Sequence, residues 1–262
     1  MKKVFLLFFA CMIFLALVAC GGIPDLDNAS GPVPEKIIDS TDEPSAKSTP
    51  KPVEKNVSVP TPAPEPEIEI ISEQLVLKTD GDTYIYLCEF VNPCDFAIRI
   101  SDISIDLEDV NGNLLSVTNY VNSKPSTIAP GGRGYICEQV LNAHFDTDVD
   151  ITAVDKAVLH YELDKDTYEA VPVEVTSVSL GIKSSFPNVL GRVKNTGDED
   201  LTFIYIAFPV YSADGTLLTV ITTFVDIKAG EEASFEQMGI YADHDLDYSN
   251  SVLGDPVIYP LF

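Results

Sequence analysis

Val110-Asn111-Gly112-Asn113-Leu114-Leu115-Ser116-Val117 and Ala213-Asp214-Gly215-Thr216-Leu217-Leu218-Thr219-Val220 are one pattern written twice, a polar turn followed by an apolar run. Asn-Gly and Asp-Gly between apolar segments predict tight hairpins, because both central residues of such turns take positive φ and these residue types tolerate it. The spacing around them repeats as well. Asn92 precedes Gly112 by the same interval that separates Asn195 from Gly215, so the copies superpose at an offset of 103 residues (Asn92 onto Asn195). A repeat of this length marks two related units.

Working outward, the alignment places Ile103, Ile105 and Leu107 on Ile206, Phe208 and Val210. It places Tyr86, Cys88 and Phe90 on Val189, Gly191 and Val193. Apolar residues at every second position are the signature of strands with one face in a core. After a small gap, Gly132–Gln139 pairs with Gly230–Gln237, and the copies close in Val158-Leu159-His160-Tyr161 and Val257-Ile258-Tyr259-Pro260. No amphipathic helix of useful length interrupts this texture. The expected fold is all-β, two tandem Ig-like antiparallel β-sandwiches over residues 68–168 and 169–262. Each has roughly 95 residues, enough for a core of its own.

Two segments precede them. Lys2 and Lys3 lead an apolar run from Val4 to Ala19, the layout of a secretory signal peptide covering residues 1–19. The run is shorter than the roughly 20 residues that cross a bilayer, and Gly21-Gly22-Ile23-Pro24 would stop a helix. Residues 20–67 then form a Pro-, Ser-, Glu- and Lys-rich linker, with segments such as Val59-Pro60-Thr61-Pro62-Ala63-Pro64-Glu65-Pro66 that build no core and favour a disordered, extended stalk.

Leu17-Val18-Ala19-Cys20 resembles the lipobox of bacterial lipoproteins. The resemblance implies cleavage before Cys20, acylation of its thiol, and attachment to the outer face of the cytoplasmic membrane. The long stalk and modular layout point to a Gram-positive envelope. In the second copy, Val189-Leu190-Gly191-Arg192-Val193-Lys194-Asn195-Thr196-Gly197, Phe208-Pro209-Val210-Tyr211-Ser212-Ala213-Asp214-Gly215 and Ile227-Lys228-Ala229-Gly230-Glu231-Glu232-Ala233-Ser234-Phe235 resemble bacterial FxLYD domains, with Val210 and Ser212 departing from the name motif. The first copy reads Ile105-Asp106-Leu107-Glu108-Asp109 there. The family motif is structural, so this resemblance implies an Ig-like fold and transfers no catalytic residue.

Charge and chemistry narrow the function. A formal charge of −25, spread along the chain, repels phosphate backbones and excludes nucleic acid as a partner. Of five cysteines, Cys88, Cys94 and Cys137 follow the anchor, without a CxxC or Cys/His zinc pattern. Cys88 aligns with Gly191 and Cys137 with Phe235, both at positions assigned to the core, which suggests facing sites and a Cys88–Cys137 disulfide. The alternative is two buried free thiols behaving as small hydrophobes. Asp146, Asp148 and Asp150 in the stretch from His144, and the related His244-Asp245-Leu246-Asp247, are weak calcium candidates, since calcium needs six to eight converging oxygens. A solvated acidic loop is the stronger reading, and no cofactor is implied. Gly-x-Ser-x-Gly, HExxH and Walker patterns are absent, and three scattered histidines argue against His-dependent catalysis. The expected function is therefore a non-catalytic, membrane-anchored module binding a protein or an envelope polymer. The alternatives are a calcium-dependent or catalytic module using the Asp-rich loops, or a structural spacer.

Overall fold

A computed structural model describes residues 65–243 and 245–260. The expected signal peptide, the expected lipid-attachment residue Cys20, the expected stalk as far as residue 64, and His244 lie outside the described residues. Alternating Val, Ile, Tyr and Thr produce fourteen strands. In the first repeat these are β1 (Glu69–Leu77), β2 (Thr83–Val91), β3 (Ala97–Glu108), β4 (Leu114–Thr118), β5 (Thr127–Ile128), β6 (Arg133–Asn142) and β7 (Lys156–Asp166), with a 3₁₀ turn at Ile151–Ala153. In the second they are β8 (Val173–Lys183), β9 (Phe186–Asn195), β10 (Leu201–Tyr211), β11 (Leu217–Ile227), β12 (Glu232–Met238), β13 (Val252–Leu253) and β14 (Val257–Pro260).

Every pairing between these strands is antiparallel. The first repeat forms one sheet in the order β1-β2-β6 and a second in which β3 is flanked by β7 on one side and by β4 and β5 on the other. The second repeat forms β8-β9-β12 and a sheet in which β10 lies between β11 on one side and β13 and β14 on the other. The same strand plan thus occurs twice, as the sequence repeat requires. Tyr86, Phe90, Ile98, Ile105, Leu107 and Ile136 fill one core, and Val189, Val193, Ile206, Phe208, Val210 and Phe235 fill the other.

Two expectations are corrected. The Asn-Gly and Asp-Gly turns are wider than two residues, and only Gly112 (φ 79°) and Gly215 (φ 87°) take positive φ. Gly112 N donates to Asp109 O and Gly215 N to Ser212 O, so each turn is closed across four residues and the glycine alone supplies the left-handed step. The tight turn with two positive φ values is Ser184-Ser185 (53° and 70°), with Lys183 directly opposite Phe186.

The second correction concerns register. Cys88 lies opposite Ile136, and Gly191 opposite Phe235. Past the gap the repeat offset is therefore 99 (Ile136 onto Phe235), and the counterpart of Cys137 is Glu236. One residue of slip moves a side chain to the other face of its sheet. Cys88 points into the first core, while Cys137 points away from it into a third apolar cluster. The proposed Cys88–Cys137 disulfide does not form: both are buried free thiols on opposite faces of one sheet. The exchange of volume survives one residue away. Phe235 covers Gly191, where a Cβ would lie 2.7 Å from the ring, and Cys88 with Ile136 fills the equivalent pair.

The third cluster joins the repeats. Ile85, Leu87, Tyr135 and Cys137, from the outer face of β2 and β6, pack against Ala207, Leu217 and Val220 of β10 and β11. The described residues of both sandwiches belong to one compact unit. Polar contacts frame the seam. Thr79 donates through N (2.7 Å) and Oγ1 (2.5 Å) to Asp243 Oδ2, Gln74 Nε2 donates to Leu217 O, and the Tyr135 and Tyr211 hydroxyls meet at 3.2 Å. Each sandwich has two outer faces, and only one of each carries the apolar residues this seam needs. The positions of Tyr205, Ala207, Pro209 and Tyr211 are occupied in the first repeat by Asp102, Ser104, Asp106 and Glu108. Those of Ile85, Tyr135 and Cys137 are occupied in the second by Asn188, Ser234 and Glu236.

Candidate functional site

The acidic loop spends its carboxylates locally. Asp146 Oδ2 accepts from Asn142 N, and Asp150 Oδ1 accepts from Thr152 N and Oγ1, capping the 3₁₀ turn. These hydrogen bonds, the Thr152 hydroxyl first, hold the Asp150 carboxyl below the usual carboxylate range. No partner of Asp148 comes from this group, and no cluster of three or more His, Cys, Asp or Glu among the described residues is placed to hold a metal ion. In the related second loop, Asp247 accepts from Ser249 N, another local turn. Of the three calcium candidates, Asp146 and Asp150 thus use their carboxylates in local turns.

The thiols offer no reactive centre in the cores. Burial pushes the Cys88 thiol up to about 12, with the negative charges of Glu73 and Glu89 adding to it. Burial raises Cys137 as well, against a partial opposing effect of Lys124. A thiolate is the nucleophile, so both sites are inert at neutral pH. Cys94, in the turn after β2, is the more accessible thiol.

A different feature stands out on the second sandwich. The apolar outer face of β10, β11 and β14 meets the first sandwich around Ala207, Leu217 and Val220, with Tyr211, Val257 and Tyr259 packed against that cluster. From Tyr259, at the margin of the seam, it continues outward as a row of four rings. Tyr259 stacks on Tyr205 (5.7 Å between centroids), Tyr205 meets Phe224 (5.9 Å), and Phe224 stacks on Phe203 (6.2 Å). The strand register sets this row, since Tyr205 lies opposite Phe224 on one side and Tyr259 on the other. Phe203 and Phe224 keep 52% and 56% of their surface exposed, which is unusual for large apolar side chains grouped together on one face. Phe203 holds φ at 52°, in a bulge of β10 where its N–H donates to Asp226 Oδ1. A bulky residue in the left-handed region carries strain, and such positions concentrate at functional surfaces.

At its Tyr259 end the row opens onto a cleft of about 650 Å³ between the sandwiches. Pro125 and Thr127 form one wall, Asp166 at the end of β7 with Tyr168 and Glu169 just after it another, and Tyr259 the third. Thr127 Oγ1 donates to Asp166 Oδ2, which holds that carboxyl below its usual range and ties β5 to the end of β7. Sequence reading missed this surface because its strands alternate like all the others. A signal was present: Phe203, Tyr205 and Phe224 fall on the solvent parity of β10 and β11.

No protein-family model matches the chain, and no curated protein matches it. Among solved structures, the chain is similar to a β-glucuronidase of Bacteroides uniformis (15% identity, 67% of this chain and 28% of that one, TM-score 0.22). It is similar to latent PorU of Porphyromonas gingivalis (15% identity, 74% and 20%, TM-score 0.22). It is also similar to a DUF4785 family protein of Legionella pneumophila (10% identity, 73% and 52%, TM-score 0.26). The chain thus spans between about a fifth and about a half of the length of these structures.

Proposed function

We propose that the chain is a lipid-anchored, extracytoplasmic lipoprotein whose paired sandwiches form a non-catalytic binding module for a protein or a polymer of the cell envelope. Cys20 supplies the anchor, and residues 20–67 hold the sandwiches away from the membrane. The observation that carries the binding role is the ring row Phe203-Phe224-Tyr205-Tyr259. It continues, past the seam, the same apolar face that the molecule uses to hold its own first sandwich. Exposed aromatic residues beside a polar rim are what interfaces are made of.

A photoreactive residue at position 224 tests this in intact cells, with position 194, on a different sheet of the same sandwich, as the control. A discrete adduct from position 224 and none from 194 supports the reading; no adduct from 224 overturns it. The anchor is tested separately. Labelled palmitate is expected in the wild-type chain and not in Cys20→Ala, which is also expected to leave the membrane fraction.

A further inference from the structure

The two repeats differ most between the strands that flank β3 and β10. Up to Thr118 the offset is 103, since Thr118 lies opposite Ile105 as Ile221 lies opposite Phe208. From Ile128 it is 99, since Ile128 lies opposite Ile98 as Ile227 lies opposite Leu201. Eight residues, 119–126, therefore stand where the second copy has four, Thr222-Thr223-Phe224-Val225. In the second copy those four continue β11 along β10 as Ala207↔Thr222, Ile206↔Thr223, Tyr205↔Phe224 and Ile204↔Val225. In the first copy the strand breaks into β4 and β5, and the excursion leaves Ser101–Ser104 of β3 without a strand partner on that side.

The opening is a cleft of about 650 Å³, within the size range of ligand sites. Ser101, Asp102, Ser104, Asn119, Tyr120 and Asn122 line it, together with the unpaired backbone of β3. Of the five described non-glycine residues at positive φ, two line it, Asp102 (48°) and Tyr120 (62°). On its other edge β3 bulges against β7 at the same place, where the register shifts between Ser101 and Ser104. The excursion is nevertheless held in shape. Lys124 exchanges backbone hydrogen bonds with Tyr135 (2.8 and 3.1 Å), its ammonium reaches Glu138 at 3.1 Å, Ser126 O accepts from Ile100 N, and Val121 is buried in the core. Strain maintained by a well-anchored frame is the mark of a preorganised site.

The chemistry of the lining selects the ligand. Ile100, Ile103 and Val121 add apolar surface, so the lining mixes hydroxyls, amides and backbone groups with aliphatic patches, which does not suit a wholly apolar molecule. An added peptide strand does not fit, because the open edge is four residues long and closed by β4 and β5. One carboxylate, Asp102, is too few for calcium. An anion finds no free cation, since Arg99 at the rim is held by Asp164 at 3.3 Å and the chain carries −25. The Tyr120 ring, 95% exposed and unstacked, offers an open face to the C–H side of a sugar ring, which the mutually stacked rings of the row do not. We propose that this cleft binds a neutral glycan, one or two sugar rings deep. The site lies on the first sandwich, on a different sheet from the aromatic row, so its failure leaves the row's role standing.

The test is an NMR titration of the full-length chain, in detergent, with neutral tetrasaccharides of glucose, galactose, mannose and N-acetylglucosamine. Tetragalacturonate serves as the anionic control. At least one neutral tetrasaccharide is expected to give saturable shifts at Ser101–Ser104 and Asn119–Asn122. Tyr120→Ala is expected to weaken that binding by at least about tenfold with an unchanged thermal midpoint, because the ring packs on nothing. Absence of saturable shifts with all four neutral sugars overturns the proposal. So does tighter binding of tetragalacturonate. Shifts confined to Phe203 and Phe224 overturn it too, and would move sugar binding to the row.

Discussion

Asn92 and Asn195, the residues that align the repeats, do the same work in each. Asn92 Nδ2 donates to the carbonyls of Phe96 (2.9 Å), Ile128 (3.0 Å) and Ala129 (3.1 Å), and its Oδ1 accepts from Cys94 N. Asn195 Nδ2 donates to Glu199 O and Ile227 O, and its Oδ1 accepts from Gly197 N. Both are fully buried, and each ties the loop after one sheet to the strand approaching the other. Removing the amide strands buried carbonyls, so Asn92→Ala and Asn195→Ala are each expected to cost about 2–3 kcal/mol in denaturant unfolding. A cost below about 0.5 kcal/mol at either site would show that water replaces the amide. The thiols give a second prediction at this scale. Native protein is expected to react with maleimide at Cys94 and, at neutral pH, not at Cys88 or Cys137 until it unfolds. The asparagines were legible in the sequence because the repeat shows them twice. The face of Cys137 was not. It depends on a single residue of offset inside a gap, and a period of two reverses every assignment when the offset is wrong by one.

At the scale of elements, the strands of each core were readable from alternation, and their order follows from the repeat. The hairpin positions were readable too, although the turn type was not. Gly112 and Gly215 supply positive φ alone, while the tight turn at Ser184-Ser185 carries no glycine to announce it. The broken strand between β4 and β5 was visible only as a small gap, whose consequence depends on which edge of β3 it exposes. Replacing residues 119–126 by Thr-Thr-Phe-Val, the second copy's equivalent, is expected to restore one continuous strand beside β3. Amide hydrogen exchange at Ser101–Ser104 should slow by at least about tenfold in a chain that still unfolds cooperatively. Unchanged exchange there would mean that the four-residue segment does not close the ladder and that the two copies are not equivalent in this region.

For the whole molecule, the seam between the sandwiches is what the sequence did not disclose. It is formed by outer-face residues, which alternation assigns to solvent, and becomes apparent only when Ala207, Leu217 and Val220 meet Ile85, Leu87 and Cys137. Its polar margin makes it sensitive to acid. Asp243 is buried, which alone would raise its carboxyl, but the hydrogen bonds from the Thr79 hydroxyl and from the Asp245 and Thr79 amides outweigh burial and hold it below the usual range. A carboxylate with a depressed folded-state value binds its proton more readily when unfolded, so its contribution is present above about pH 4 and is lost as pH falls through the lower folded value. Asp243→Asn keeps an acceptor for Thr79 and removes the charge. Wild type is therefore expected to be more stable than the variant at neutral pH, with the difference narrowing toward zero between about pH 4 and pH 2. Parallel stability curves across that window would show that the seam depends on the shape of this hydrogen bond and not on its charge. Because the seam presses the covered half of one apolar face against the first sandwich and leaves the ring row outside, a variant that loosens it should expose the whole face. Dye binding to exposed apolar surface is accordingly expected to rise in Asp243→Asn before global unfolding, and in wild type only on acidification.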